Sequence, residues 1–326
     1  MSVLVTGGAG YIGSHMTLSL LEQGEEVCVL DNLSNGVRSL VPEPAHFFQG
    51  NINDRNLVQW ILADHEIDSV FHFAGSTVVP ESVEDPLLYY ENNTANTRHL
   101  LESCVRSGVK NFIFSSTAAV YGATQDETIS EDAVKSPANP YGRSKLMTEW
   151  MLQDTARATG LRYVALRYFN VAGADPLGRT GQSTPVATHL IKRACQAALG
   201  RLSYLSIFGV DYDTRDGTGV RDYIHVSDLV AAHGLALAHL RAGGESGVFN
   251  CGYGRGFSVR EVIGAVEDAA GHPLAVRELP RRAGDPPTVV ADPTRIKTEL
   301  GWTPKHDALA EIIRDALAWE RRLDPA

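Results

Sequence analysis

The sequence is poor in cysteine and has no block of positive charge. Its four cysteines, Cys28, Cys104, Cys195 and Cys251, stand far apart and form no CxxC pair. This spacing indicates neither a zinc knuckle nor a disulfide framework, and we expect no metal site. The net charge is −10 and no lysine- or arginine-rich block occurs, so electrostatics favour neither nucleic acid nor an anionic membrane as a partner.

Long apolar segments are missing as well. No apolar run approaches the ~18 residues that would span a bilayer. The N-terminus enters a strand pattern directly, without the basic and apolar regions of a signal peptide, and we therefore expect a cytoplasmic protein. The 326 residues are 44% hydrophobic and 21% charged, which is enough for one large α/β unit or two domains with sizeable cores.

Short apolar runs alternate with helical stretches through the first half of the chain. The runs are rich in Val, Ile, Leu and Phe and are bounded by Gly, Asp or Asn, which is typical of buried strands. Strands are predicted over 2–5, 27–30, 69–73, 111–114 and 163–167. Helices are predicted over 12–23, 55–65, 86–107 and 141–159. This alternation predicts an α/β fold with a doubly wound parallel sheet of the Rossmann type.

The composition changes after residue 170. Gly, Pro, Asp and Thr crowd 172–185 and 209–222, whereas a later helix and strand resemble a return to the first domain. We predict a Rossmann domain over 1–171 with a return segment at about 223–252, and a smaller mixed α/β substrate domain formed by 172–222 and 253–326.

A glycine-rich stretch follows the first predicted strand and opens the first helix. Gly7, Gly8, Gly10 and Gly13 satisfy the G-x-G-x-x-G pattern. Glycine at these places lets the backbone turn tightly and approach a pyrophosphate, which lies at the helix N-terminus. Asp31 ends the second predicted strand, where a carboxylate accepts hydrogen bonds from a ribose diol and repels a 2′-phosphate. The context predicts NAD rather than NADP; the alternative is a tight turn with no ligand.

Tyr141 and Lys145 are four residues apart in a predicted helix and therefore share one face. A free tyrosine titrates near about 10, and an ammonium group together with a nicotinamide cation would favour the phenolate. Tyr141 would then be a usable base near neutral pH. The alternative is two surface residues at helical spacing. The catalytic interpretation is favoured because the pair follows the hydroxyl-rich segment 115–117 after one βα step.

These segments together resemble the extended short-chain dehydrogenases/reductases over essentially the whole chain. TGGAGYIGSH, LDNLSNG, HFAG, FSSTAAVYG, PYGRSK and RYFN occur in the order of that family, and GTGVRDYIHVSDL, PRRAGDPP and LGW resemble its UDP-glucose 4-epimerases. The resemblance implies NAD-dependent, reversible epimerisation at C4 of a UDP-hexose, UDP-galactose to UDP-glucose, through a transient 4-keto intermediate. It also implies a homodimer formed through the helices predicted over 86–107 and 141–159.

The resemblance also implies a role for individual residues. The implied catalytic residues are Thr117, Tyr141 and Lys145. The implied cofactor-binding residues are Gly7, Gly10, Tyr11, Ile12, Gly13, Asp31, Asn32, Asn35, Gly36, Asn51, Ile52, Phe73, Ala74, Gly75, Asn92, Ser115, Tyr141, Lys145 and Tyr168. The implied substrate-binding residues are Thr117, Phe169, Asn170, His189, Leu190, Ile207, Phe208, Arg221, Arg282, Asp285 and Val289. The two arginines offer forked donors that suit a diphosphate.

At three positions the residue bears on how this chain compares with other members of the family. Asn51 stands where an aspartate is frequent, although an amide can still donate and accept. Thr77 stands where some members carry a lysine, so we expect one cofactor contact to be absent. Val289 matches a position beside the sugar's 2-position that holds a tyrosine or a smaller residue. Its size leads us to expect partial tolerance of UDP-N-acetylglucosamine.

Two alanines after Thr117 limit the reactions that the site could catalyse. Dehydratases of the superfamily carry an Asp-Glu pair there and decarboxylases a glutamate, whereas Ala118 and Ala119 can neither take nor supply a proton. An elimination reaction is therefore disfavoured. The reaction that remains is transfer of a hydride from the sugar to the cofactor and back again. The alternatives are a 4-epimerase of UDP-N-acetylglucosamine, UDP-xylose, UDP-arabinose or UDP-glucuronate, a dehydrogenase that releases NADH, and a non-catalytic NAD-binding regulator. An intact Tyr141–Lys145 pair speaks against the regulator.

Overall fold

The structure is a computed structural model and describes residues 1–123, 126–184, 188–282 and 284–323. Its strands are β1 (Ser2–Thr6), β2 (Glu26–Asp31), β3 (His46–Gln49), β4 (Ile67–His72), β5 (Asn111–Thr117), β6 (Arg162–Tyr168), β7 (Asn170–Ala172), β8 (Leu205–Phe208), β9 (Val220–His225), β10 (Gly247–Cys251), β11 (Gly256–Ser258), β12 (Val276–Leu279) and β13 (Thr288–Val289). Its helices are α1 (Tyr11–Glu22), α2 (Arg55–Asp64), α3 (Val79–Glu84), α4 (Pro86–Tyr89), α5 (Asn96–Ser107), α6 (Pro140–Thr159), α7 (Leu190–Ala198), α8 (Val226–Arg241), α9 (Val259–Ala270), α10 (Thr294–Leu300) and α11 (Leu309–Arg322). Within these described ranges, no helix combines the length and the apolar character that crossing a membrane requires.

Seven strands form one sheet in the order β10-β6-β5-β4-β1-β2-β3. β1 runs parallel to β2 and β4, β2 to β3, and β4 to β5. The chain builds outward from β1 to β3 and then crosses to β4 on the other side of β1. A doubly wound sheet binds its ligands at such a switch point, outside the carboxyl ends of the strands. The predicted Rossmann sheet is confirmed.

The central strands are apolar along their length because helices cover both faces of the sheet. All residues of β1 and β5 are buried. One core cluster packs α2, α5 and α6 against the sheet, and it includes Leu4, Leu62, Leu100, Phe112 and Leu152. Each helix therefore packs its apolar face against the sheet. This packing also fixes the direction in which the polar side chains of that helix point.

The helix predicted over 86–107 is interrupted in the structure. A π-helical turn, Tyr90–Ala95, separates α4 from α5. Within this turn Asn93 is buried, and its amide bonds to Ser144 Oγ and to the backbone N–H and carbonyl oxygen of Ser76. A π turn changes the direction in which the neighbouring side chains point, and such turns are frequent at functional sites. The 3.6-residue periodicity of the sequence does not show this shift.

The chain divides into two compact units. Unit 1 comprises Met1–Gly122, Val134–Arg167 and Val230–Phe249, and unit 2 comprises Ala123–Ala133, Tyr168–Leu229 and Asn250–Ala326. In unit 2, β9 lies between β11 and β13 and also pairs with β7, and β8 pairs with β12. Buried side chains of α7, α9 and α11, among them Ile191, Val262 and Ile312, form a second core cluster there.

A buried ion-pair network lies inside unit 2. Glu320 of α11 accepts hydrogen bonds from Lys192 Nζ at 2.7 Å and from Arg201 Nη1 at 2.5 Å. Lys192 also donates to the carbonyl oxygen of Gln182. Glu320 and Lys192 are only 3% and 7% exposed. The carboxylate therefore provides the countercharge for a lysine that has little water around it.

Replacement of Glu320 by glutamine is expected to lower the free energy of unfolding by about 3 kcal/mol, because it leaves the buried Lys192 ammonium without its countercharge. Urea unfolding followed by circular dichroism measures the loss. Glu299→Gln is the matched control, since the Glu299–Arg295 pair is exposed and its loss should cost less than about 1 kcal/mol. Equal losses in the two variants would contradict this prediction.

Candidate active site

A cleft of about 680 Å³ lies in unit 1 at the carboxyl ends of β1 to β4. Most of the predicted cofactor residues line it: Gly7, Gly10, Asp31, Asn32, Asn35, Gly36, Asn51, Ile52, Phe73, Ala74, Gly75 and Asn92. The cleft is also lined by residues that the sequence reasoning missed: Leu30, Ser34, Gly50, Ser76 and Asn96. These five flank predicted residues or follow them by one helical turn, so spacing could have found them.

Two glycines allow the strand, the helix and a loop to approach each other closely. Gly7 has a φ of +72°, and a Cβ there would lie 2.6 Å from the backbone nitrogen of Ala74. A Cβ on Gly13 would lie 2.2 Å from the carbonyl oxygen of Gly7. Neither position has space for a side chain. Helix α1 therefore starts directly after β1, and its N-terminus favours an anion such as a pyrophosphate.

Asp31 is buried at the end of β2 and organises the loops beside it. Its Oδ2 accepts a hydrogen bond from Ala9 N–H at 2.9 Å, and its Oδ1 accepts one from Leu33 N–H at 2.8 Å. A Cβ on Gly36 would lie 2.8 Å from Oδ1, so the glycine leaves this side of the carboxylate open. Each carboxylate oxygen has a second lone pair, and Asp31 can accept further hydrogen bonds from a diol.

Asn96 presents a buried polar atom at the cleft. Its Oδ1 is buried and accepts no hydrogen bond from any residue that the structure describes. Asn92, one turn earlier, donates from its amide to Ser76 Oγ at 3.1 Å. Buried polar atoms in proteins almost always have a partner. Asn96 lines the cleft, so its side-chain oxygen is an acceptor left over by the described residues at this place.

Thr117, Tyr141 and Lys145 lie together in unit 1 and are all buried. Tyr141 and Lys145 share one face of α6, and Thr117 ends β5. The Thr117 side chain lies near that of Tyr141 and acts to lower its pKa. Lys145 Nζ donates to the carbonyl oxygen of Ser115 at 3.0 Å and lies 5.0 Å from the centre of the Phe114 ring. The helical face predicted from the sequence is thus directed at the end of β5.

Burial shifts the pKa of both ionisable groups at this place. It lowers the pKa of the Lys145 ammonium to about 8. It raises the pKa of Tyr141, and the neighbouring Thr117 side chain acts in the opposite direction. Among the protein's own groups desolvation is the larger effect on the tyrosine. A cationic ligand beside the ring would supply the further stabilisation that a phenolate needs near neutral pH.

A buried ion pair joins the helix and the strands that carry these groups. Glu149 of α6 accepts hydrogen bonds from Arg167 Nε at 2.9 Å and Nη2 at 2.5 Å, and another from the Ser116 hydroxyl. Arg167 Nη1 donates to the Tyr121 hydroxyl at 2.8 Å. Both charged side chains are almost fully buried. Ser116 precedes Thr117, so the network holds the end of β5 against α6.

The sequence reasoning missed Glu149 and Arg167. A signal for the glutamate was present, because Glu149 lies four residues after Lys145 and eight after Tyr141, on the helical face that packs against the sheet. A carboxylate on a buried face needs a cationic partner. No local pattern identifies Arg167 as that partner.

Some predicted cofactor residues do not line the cleft. Tyr11, Ile12 and Gly13 lie in the first turn of α1. Ser115 contributes its carbonyl oxygen to Lys145 instead. Tyr168 belongs to unit 2.

The predicted substrate residues of unit 2 fall into two main groups. In the first, Asn170, His189 and Leu190 line a cavity of about 430 Å³, together with Trp319. His189 Nδ1 lies 2.8 Å from Gln182 Nε2, within hydrogen-bond distance. The lining of the cavity includes an aromatic ring, an amide and an imidazole, which can stack on or hydrogen-bond to a polar ligand.

The second group contains both predicted arginines. Arg282 Nε donates to Asp285 Oδ2 at 2.9 Å, and its guanidinium lies 4.7 Å from the centre of the Phe208 ring. Arg221 donates to the carbonyl oxygen of Val220. Burial lowers the pKa of Arg221, and the nearby Asp285 carboxylate opposes this effect. Two guanidinium groups with one carboxylate leave a net positive charge that suits an anion.

Three further substrate predictions lie apart from these groups. Ile207 is 1% exposed and packs in the core of unit 2, so its side chain is not available to a ligand. Val289 is half-buried in β13, and Phe169 lies between β6 and β7.

Comparisons with known proteins agree with this geometry. Residues 3–252 match the model of the NAD dependent epimerase/dehydratase family. The UDP-glucose 4-epimerase of Azospirillum brasilense is 59% identical over 322 residues, 99% of this chain and 92% of that protein. The crystal structure of the UDP-glucose 4-epimerase from Brucella ovis in complex with NAD has a TM-score of 0.95 at 46% identity and covers 98% of both chains. That of the Bifidobacterium longum enzyme in complex with NAD⁺ and UDP has a TM-score of 0.93 at 39% identity, covering 99% of this chain and 98% of that one. The chain therefore belongs to the NAD dependent epimerase/dehydratase family, among the UDP-glucose 4-epimerases.

Proposed function

We propose that the protein catalyses the NAD-dependent, reversible inversion of C4 of a UDP-hexose, converting UDP-galactose to UDP-glucose through a 4-keto intermediate. The observation that carries this proposal is the buried group of Thr117, Tyr141 and Lys145 in the same unit as a cleft lined by most of the predicted cofactor residues. Support comes from the similar chains of known structure, which contain NAD or NAD⁺ with UDP.

The cleft residues fit NAD. Asp31 would bind the adenosine ribose through its remaining lone pairs, and the N-terminus of α1 would hold the pyrophosphate. Asn96 would accept a hydrogen bond from the ligand, and Lys145 would bind the nicotinamide ribose. Bound NAD supplies the acceptor and the donor of the C4 hydride.

Tyr141 moves the proton in this proposal. It takes the proton of the C4 hydroxyl as C4 is oxidised, while Thr117 hydrogen-bonds to the same hydroxyl. The phenol holds the proton until the opposite face of the 4-keto sugar is reduced, and then returns it to the C4 oxygen. Acid and base are one group, so the turnover releases no proton. Ala118 and Ala119 occupy the turn after Thr117 without any carboxylate that could assist elimination.

Unit 2 would bind the rest of the substrate. Arg221 and Arg282 suit the diphosphate, and the cavity with Asn170 and His189 suits the uracil. Val289 stays assigned to the 2-position of the sugar, with the expected tolerance of UDP-N-acetylglucosamine.

We further propose a cytoplasmic homodimer. Val83, Leu87, Met147 and Trp150 are apolar and exposed, and they lie on α3, α4 and α6, which pack against each other. Exposed apolar patches of this kind mark protein–protein interfaces. The four cysteines are buried and free, as is usual in a reducing compartment.

The activity itself is tested with purified protein, UDP-galactose and no added NAD. UDP-glucose should form without accumulation of NADH, and added NAD should restore any activity lost on purification. Tyr141→Phe should lower kcat by about 10²–10⁴-fold, because it removes the proton-transfer group, and should keep bound NAD. Tyr204→Phe, at an exposed tyrosine of unit 2, is the control. NADH formed in step with product would instead indicate a dehydrogenase, and an unchanged kcat in Tyr141→Phe would remove the assigned base.

The effect of Thr117 on the pKa of Tyr141 should be visible in the pH profile. Thr117 lowers the pKa of Tyr141, so Thr117→Val should raise that pKa and leave less phenolate at a given pH. The acidic limb of kcat/KM should move to higher pH, with about a tenfold loss in rate for each pH unit of displacement. Thr117→Ser keeps the hydroxyl and should keep the limb in place. A loss of rate that is equal at every pH would assign Thr117 to substrate contact alone.

The dimer proposal predicts a specific effect of charge on the exposed apolar face. Leu87→Glu and Trp150→Glu should each convert a dimer to monomers in light scattering, because a carboxylate would be buried without a partner. Leu177→Glu, at an exposed leucine of unit 2, should leave the dimer intact. A monomeric wild-type protein at micromolar concentration would contradict the proposal.

A further inference from the structure

Three side chains that can bind metals meet at the amino ends of β2 and β3 in unit 1. Glu26 begins β2, His46 begins β3, and His65 directly follows α2. One ligand atom of each lies within 4.8 Å of those of the other two. The cofactor cleft is at the carboxyl ends of the same strands, so this cluster has no part in the proposed reaction.

The distances within the cluster suit a transition-metal ion. Glu26 Oε1 lies 3.6 Å from His65 Nδ1 and 3.8 Å from His46 Nε2. Both distances exceed a direct hydrogen bond. Bonds of about 2.0–2.2 Å to a tetrahedral ion place two ligands roughly 3.4 Å apart. The side chains of Glu26 and His46 are each 52% exposed, so they have room to move closer to a shared ion.

A hydroxyl group orients one of these ligands. The Ser2 hydroxyl donates to Glu26 Oε2 at 3.1 Å, which leaves Oε1 directed at the histidines. His65 Nε2 lies 4.0 Å from Asp64 Oδ2, which is beyond a direct hydrogen bond, so this carboxylate adds only negative charge near the ring.

We propose that Glu26, His46 and His65 bind a divalent transition-metal ion, with Zn²⁺ as the natural occupant. Imidazole nitrogens and carboxylate oxygens are zinc ligands, and the exposed side of the cluster admits water as a fourth ligand. The ion joins β3, the edge strand of the sheet, to β2 and to the end of α2. Its effect is therefore on the stability of this edge. The sequence has no compact motif for the site because each ligand comes from a different element.

Calorimetric titration of the metal-stripped protein with Zn²⁺ tests the proposal. One ion should bind per chain, and Glu26→Gln, His46→Gln and His65→Gln should each weaken binding at least tenfold. His272→Gln, at an exposed histidine of unit 2, should bind as the wild type does. Zn²⁺ should raise the melting temperature of the wild type with increasing concentration, since it binds only the folded state, and should not raise that of His65→Gln.

Tryptophan fluorescence tests whether the ion binds at this cluster. The indole ring of Trp60 is centred 6.2 Å from that of His65, so Ni²⁺ or Cu²⁺ in the site should quench tryptophan emission, and Trp60→Phe should remove most of the quenching.

Two results would overturn the site. One is no uptake of Zn²⁺ by the wild type at neutral pH. The other is unchanged uptake in His46→Gln, whose side chain is half-exposed at a strand end and should fold even where His65→Gln does not. Neither result depends on epimerase activity.

Discussion

The buried carboxylate of Glu149 fixes α6 to the sheet, and the proposed chemistry depends on this contact. Glu149 accepts two hydrogen bonds from Arg167 of β6 and one from Ser116 of β5. Breaking a buried ion pair is costly because it leaves a charge without a partner. A shift of α6 by one residue would turn Glu149 about 100° away from Arg167. The ion pair therefore sets the position of Tyr141 and Lys145, which lie on the same face of the helix.

The electrostatics of the site link the base to its ligand. Burial lowers the pKa of Lys145 to about 8 and raises that of Tyr141, so at neutral pH the protein alone keeps Tyr141 as the phenol, while Lys145 is mostly an ammonium. A cationic ring bound beside them would favour the phenolate. Bound cofactor would thus contribute to the acid–base chemistry as well as to the hydride transfer, and a protein that keeps its cofactor would keep its base active.

The sequence predicted the central sheet well because its strands are continuous apolar runs between helices of ordinary length. It predicted the second unit poorly, since β7, β11 and β13 have only three, three and two residues. Such strands are too short to show an alternation. The π turn at Tyr90–Ala95 was missed because it interrupts a helix at a place where the sequence has no proline or glycine.

The sequence by itself determined the features that depend on residues within a few positions of each other. Gly7 and Gly13 form the close turn, Tyr141 and Lys145 share a helical face, and the two alanines exclude a local carboxylate. Only the tertiary structure decided what is buried and what is paired. Glu149 and Arg167 are 18 residues apart, Asn96 lines the cleft directly after a π turn, and the side chain of Ile207 packs in a core. Desolvation and ion pairing depend on distances across the fold, and a linear pattern does not contain them.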